Sequence, residues 1–411
     1  MTERSLAAGG TSPGGSNPGS SHPDNSHPSK ATGNPIPLLD VGRGNGPLRD
    51  EILAAVAEVV DSGRFLHGPD VKKLEEEIAE ISGSRHAIGC ASGSDALLLA
   101  LMALEVGAGD EVIVPSFTFF ATASAAWRLG AKPVFVDIDR ATFNLDAKKI
   151  EAAITPATKA IIAVHLFGQC AEMDAIQAIA ERHGIAVIED AAQSLGAGYQ
   201  GQGAGSIGRL GAISFYPTKN LGGFGDGGMI TTNDDKLADR VRLYAAHGMQ
   251  PRYYHHVVGI NSRLDTIQAA VLRVKLRRLA EWTRKRQENA ARYQQWLRGI
   301  PGVELPPASA HCEHVWNQYT IRVLGGRRDW LREQLTRCGV GTEIYYPVPL
   351  HLQECFRSLG YQPGSLPETE RAAAEVLSLP IYPELSLDEQ QRVVSTMHDL
   401  LRSEEHTSEL Q

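Results

Sequence analysis

Four short segments carry side chains capable of chemistry, and each has a plainer structural reading beside it. The run 89-GCASGSDALLLAL leads a strand into Ala91, Ser92, Gly93 and Ser94 and then directly into a helix. Free backbone N–H groups and the helix dipole make such a turn an anion site, with Ser94 adding a hydroxyl, although many similar turns only cap their helix. In 188-IEDAAQS, Asp190 ends an apolar strand, where a carboxylate is costly unless a cation partners it. A protonated pyridine nitrogen is one such cation, and Gln193 would lie against the same ring; the alternative is a loop aspartate capping the next helix. In 214-SFYPTKNLGGFGDGG, Lys219 follows a strand and Pro217, and five glycines follow it as far as Gly228. A lysine becomes a nucleophile when its surroundings lower its pKa and fix its position, and glycines let backbone close around a bound ring. Taken alone, Lys219 reads more readily as a surface lysine in a flexible loop. Asn261 and Arg263, in 259-GINSRLDTIQAA, suit anions or the cap of the helix that follows.

These segments need elements to hold them. The runs 111-EVIVP, 133-PVFVD, 159-KAIIAVH and 185-IAVIED are short, β-branched and bounded by Gly, Pro or Asp, as buried strands are. Amphipathic stretches at 95–105, 147–153 and 173–183 separate them. Strand and helix in alternation predict an α/β fold with a mostly parallel sheet covered on both faces, its active site at the carboxyl ends of the strands. Two more strands, 211-GAISFYP and 228-GMITT, flank the glycine-rich segment. One long helix is expected over 264–297, leading to a smaller C-terminal α+β domain that holds 318-QYTIRV, a helix around 330–338 and a last helix from Leu387. The predicted division is a large domain over 35–280 and a small one over 281–401.

The ends differ from the body. Residues 1–34 are mostly Gly, Ser, Pro, Asn and His, a composition that cannot offset its own ordering entropy, so a disordered tail is expected, with His22 and His27 solvated in it. The ending RSEEHTSELQ over 402–411 resembles a translated sequencing adapter and is set apart as a non-native tail.

The 411 residues leave room for about two domains, and a net charge of -8 without a basic block gives a nucleic-acid backbone nothing to hold. Five cysteines at unrelated spacings suggest neither disulfides nor a metal site, and no metal is expected. No apolar run approaches the roughly 20 residues that span a bilayer, and no signal peptide is legible, so a cytoplasmic protein is expected.

An anion turn, a strand-end aspartate and then a lysine is the layout of fold-type I enzymes that use pyridoxal 5'-phosphate (PLP). The chain resembles the DegT/DnrJ/EryC1/StrS family of PLP-dependent sugar aminotransferases. The likeness runs from Ile36 to about Leu400 through 36-IPLLD, 63-GRFLHGPDVKKLE, 92-SGSDAL, 114-VPSFTFFATA, 164-VHLFGQ, 188-IEDAAQS, 214-SFYPTKNLG and 259-GINSRLDTIQAA.

The resemblance implies a fold-type I large domain with a mostly parallel seven-stranded sheet and a smaller C-terminal domain. It implies that Lys219 forms the Schiff base with PLP, that Asp190 pairs with the ring nitrogen and that Gln193 lies beside the ring. Phe119 would stack on the ring face, a position it would otherwise fill as a core aromatic. Gly93, Ser94 and Ser214 would hold the phosphate. Asn261 would reach the phosphate of a neighbouring subunit, giving a homodimer with shared active sites. The implied reaction carries an amino group from L-glutamate to a keto sugar on a nucleotide, with C3 of a UDP- or dTDP-sugar favoured. A C4 aminotransferase and a non-catalytic PLP-binding regulator are the alternatives. For the substrate, Arg263 would suit a hexuronate carboxylate, or the donor's. Tyr345 and Tyr346 line the sugar site or simply pack. His165 is a second-tier candidate that reads equally as a structural strand-end histidine.

Overall fold

The computed structural model describes residues 34–408, with side chains through Arg402. The expectations for residues 1–33, with His22 and His27, lie outside the described residues.

Seven strands form the main sheet: β1 (His86–Cys90), β2 (Glu111–Pro115), β3 (Lys132–Val136), β4 (Thr158–Val164), β5 (Ala186–Asp190), β6 (Leu210–Ser214) and β7 (Gly228–Thr232). Their order across the sheet is β1-β7-β6-β5-β4-β2-β3. Every neighbouring pair is parallel except the two that β7 makes, with β1 and with β6. Side chains alternate between the faces, as the two-residue period of a strand requires. Val112, Val114, Ile162, Ile188 and Ile230 join a core with the helices Gly93–Ala103 and Ala121–Arg128. Ile113, Ile161, Val187 and Met229 join another with the helices Pro69–Ser82, Met173–His183 and Thr266–Leu276. Helices thus cover both faces, which is why the strands carry apolar residues on both sides.

The expected single helix over 264–297 is instead two, Thr266–Leu276 and Leu279–Trp296, joined at Arg277 and Arg278. The joint separates different packing duties. Leu272 lies in the sheet's core, whereas Ala290 and Tyr293 pack with Tyr319, Ile321 and Leu379 further along the chain. A straight helix could not serve both.

In that second region, Tyr319–Val323 pairs antiparallel with Val303–Glu304 on one side and with Val376–Leu379 on the other. The helices Arg328–Arg337 and Leu387–Ser408 accompany this sheet. The last helix runs on through Ser408, so the backbone of 402–408 is helical where the sequence showed no helical stripe. A helix once nucleated extends at little cost. The region's core is continuous with Phe117, Phe143, Val164 and Phe167, which lie beside the carboxyl edge of the main sheet.

Candidate active site

Register brings the site together. Gly228, the first residue of β7, pairs with Cys90, the last of β1, and with Ser214, the last of β6. The turn that follows Cys90 and the loop that follows Ser214 therefore flank a single glycine at the carboxyl edge. Packing there is close. A Cβ on Gly93 would stand 2.7 Å from the Cβ of Ser214, and one on Gly228 would stand 2.7 Å from the Gly93 nitrogen. Ser92 caps the helix that begins at Gly93, its hydroxyl accepting from Asp95 N–H at 3.1 Å. Sequence reasoning missed Ser262. Its hydroxyl accepts from Ala91 N–H at 3.1 Å and donates to Asp95 at 2.7 Å, tying the Asn261–Arg263 segment to the turn.

Asp190 ends β5 and is buried. Its Oδ2 accepts from the Thr122 hydroxyl at 2.8 Å, and its Oδ1 has only a long contact from Ala192 N–H at 3.3 Å. Burial raises its pKa, while Thr122, Ala192 and the Lys219 charge pull the other way. Lys219 is half-buried in the loop between β6 and β7. Desolvation lowers its ammonium to about 8 and the Asp190 carboxylate pushes back. Desolvation outweighs the carboxylate, so the lysine titrates closer to neutral pH than a free one, as suits an amine used for nucleophilic and proton-transfer chemistry.

Around this pair, Phe119 exposes 58 % of its surface at the start of the helix Ala121–Arg128. Its ring centroid lies 6.3 Å from that of Tyr346. Gln193 accepts from Phe167 N–H at 2.6 Å and donates to the Tyr346 hydroxyl at 3.3 Å. A cavity of about 240 Å³ beside Thr218 is lined by Leu38, Asn317, Gln318 and Tyr345.

Asn261 and Arg263 line a cleft of about 490 Å³ with Ala91 and Ser92 of the turn, Asp226 and Gln268. His165 is wholly buried, its Nδ1 accepting from Ala171 N–H at 3.1 Å, so Nε2 carries the proton and donates to Glu189 at 2.8 Å. Both ring nitrogens are thus spent inside the protein, which removes His165 from the residues able to grip a sugar. Its partner Glu189 also accepts from the backbone N–H groups of Gly205, Ile207 and Gly208 at 2.8, 2.7 and 2.6 Å. No cluster of potential metal ligands occurs among the described residues.

The DegT/DnrJ/EryC1/StrS aminotransferase family model matches residues 47–398. The chain belongs to this family. A "pleiotropic regulatory protein" of Geobacillus stearothermophilus is 53% identical over 369 residues, covering 89% of this chain and 99% of the relative. A UDP-N-acetyl-3-dehydro-alpha-D-glucosamine 3-aminotransferase of Acidithiobacillus ferrooxidans is 46% identical over 366 residues, 89% of this chain and 98% of the relative. The crystal structure of DesV from Streptomyces venezuelae superposes with a TM-score of 0.87 at 44% identity, over 90% of this chain and 99% of that one. The protein is therefore a PLP-dependent aminotransferase of the DegT/DnrJ/EryC1/StrS family with the fold-type I architecture.

The residues present fit that cofactor. A buried carboxylate has one oxygen nearly unpartnered, an amine lies within its field, an aromatic face is open, and two strand ends form a small-residue turn at a helix N-terminus.

Proposed function

We propose that this aminotransferase moves an amino group from L-glutamate to the C3 keto group of a UDP- or dTDP-linked sugar, working as a homodimer with shared active sites. The relatives support the substrate class: the Acidithiobacillus enzyme is named for a UDP-linked 3-keto sugar. The observation that carries the chemistry is the buried Asp190 carboxylate, one oxygen held by Thr122 and the other nearly unpartnered, with the Lys219 charge acting on it.

PLP, when bound, supplies an electron-poor pyridinium ring that accepts the electrons of the substrate C–H bond. Asp190 would keep the ring nitrogen protonated, because a buried carboxylate gains most from a cationic neighbour. The Lys219 Nζ would hold the cofactor and, as a free amine, would carry a proton between the reacting carbons. A lysine that is partly neutral at physiological pH can both accept and give that proton. Gly93, Ser94 and Ser214 would hold the phosphate, and Asn261 would serve the neighbouring subunit's phosphate. Phe119 would cover the ring face and Gln193 its edge. Tyr345 and Tyr346 would meet the sugar, and Arg263 would meet a carboxylate on donor or sugar. No described helix is long and apolar enough to cross a membrane.

The deciding assay offers the purified protein L-glutamate with UDP- and dTDP-linked 3-keto and 4-keto sugars, identifying products by mass and NMR. Amination at C3 supports the proposal, and exclusive amination at C4 or turnover of none of the sugars refutes it.

A further inference from the structure

We propose that Thr122 is a positioning residue for transamination, its hydroxyl fixing Asp190 as a carboxylate through Oδ2 and leaving Oδ1 for the ring nitrogen. The inference rests on the reading of Asp190 as that nitrogen's partner. Thr122 and Thr118 are both buried, at 0% and 3% exposure, and no solvent competes for their hydroxyls. Thr122 Oγ1 lies 2.8 Å from Asp190 Oδ2 and 3.1 Å from Thr118 Oγ1. Thr122 has one hydroxyl proton. While Asp190 is ionised it can only accept, so Thr122 must donate to it and Thr118 must donate to Thr122. The chain of donors runs one way, toward the carboxylate, and a hydrogen bond to the charged form favours that form.

The titratable groups facing Asp190 are Lys219 from the loop after β6, His165 from the end of β4 and Tyr346 from the segment before Pro347. Of these Lys219 is consumed by chemistry and His165 is committed to Glu189, so neither is free to hold the Asp190 side chain. Thr122 is the side chain that does. Its N–H also bonds to the Phe119 carbonyl at 3.2 Å, so one helical turn presents both the stacking aromatic and the hydroxyl.

The test compares the full-length enzyme with Thr122→Val, Thr122→Ser and Asp190→Asn. Each is measured for kcat and KM against pH, for PLP affinity of the cofactor-free protein, and for the pH dependence of the bound cofactor's absorbance. Valine keeps the volume and removes the donor, whereas serine keeps the donor and removes a methyl. Thr122→Val is expected to lower kcat roughly ten- to a hundredfold, the range of a hydrogen bond to a charged group, with little change in KM for glutamate. It should also raise the acid limb of the pH profile by about one unit and weaken PLP binding. Thr122→Ser should restore most of each loss. The opposite order, valine like the wild type and serine worse, would show mere packing and overturn the proposal. Should Thr122→Val not fold, Thr122→Ala takes its place: an acid limb raised above that of Thr122→Ser supports the proposal, and one that coincides with it refutes it. Asp190→Asn tests the underlying reading separately. If it binds PLP and turns over like the wild type, Asp190 is not the nitrogen's partner, whatever Thr122 does.

Discussion

Lys275, in the last turn of the helix Thr266–Leu276, donates its ammonium to the carbonyl of Gly222, three residues beyond Lys219. The side chain is 3% exposed, and burial lowers its pKa to about 8. Because the folded-state pKa is depressed, the folded protein binds fewer protons than the unfolded chain between about pH 8 and 10.5, and stability rises across that window. The penalty is fully present below pH 8 and amounts to about 3 kcal/mol as an order of magnitude. Melting temperatures of the cofactor-free protein at about pH 7.5 and 9.5 should therefore rise more for the wild type than for Lys275→Met. Equal rises would mean that Lys275 does not titrate there.

Lys219→Ala is expected to reduce turnover below detection and to remove the visible absorbance of the lysine-linked cofactor. The fold should survive, since Lys219 is half-buried and takes part in no ion pair within 4 Å. Residual absorbance together with turnover would contradict the assignment.

Glu189 holds four donors in the interior, three of them backbone N–H groups of the 205–208 segment. Glu189→Ala strands all four, and leaving buried partners unpaired in this way costs about 3–5 kcal/mol. The expected result is a fall in melting temperature of several degrees, read by calorimetry, and poor recovery of soluble protein. A melt within a degree of the wild type would count against the network.

Gly228→Ala places a methyl against the Ser92 carbonyl and the Gly93 nitrogen. Gly228 is not at positive φ, so the conflict is one of space alone. Displacing the turn should weaken PLP binding at least tenfold, about 1.4 kcal/mol, measured by equilibrium dialysis. Unchanged affinity would place the phosphate elsewhere.

The strands were legible because their runs are short, β-branched and sharply bounded; Glu111–Pro115 stands where its five residues predict. Asp190 and Lys219 were legible for another reason, since one ends a strand, the other lies in the loop that follows one, and strand ends converge at one edge of a parallel sheet. Thr122, Glu189 and Lys275 were not. Their importance lies in partners far off in sequence, Thr122 to Asp190 and Lys275 to Gly222, and a threonine or lysine within a helical pattern announces neither. The S-F-T-F-F-A-T run held one clue, a threonine three residues after the aromatic, hence on the same helical face. The break at Arg277 and Arg278 was hidden because no Gly or Pro marks it. His165 was legible as a strand-end histidine but not as one already satisfied, because Ala171 returns to it only through the short turn after Phe167.

The backward run of β7 has a mechanical consequence. Strands that both point the same way must be joined by a chain that travels the full height of the sheet, whereas the segment carrying Lys219 leaves and re-enters at the same edge. Its two anchors are adjacent, so its residues are released from any duty of transport and can be shaped wholly around a guest molecule. The nucleophile is tethered like a bucket handle, fixed at both rims, and the arc between them is where lengthening or shortening by a residue would be felt first in catalysis and last in folding.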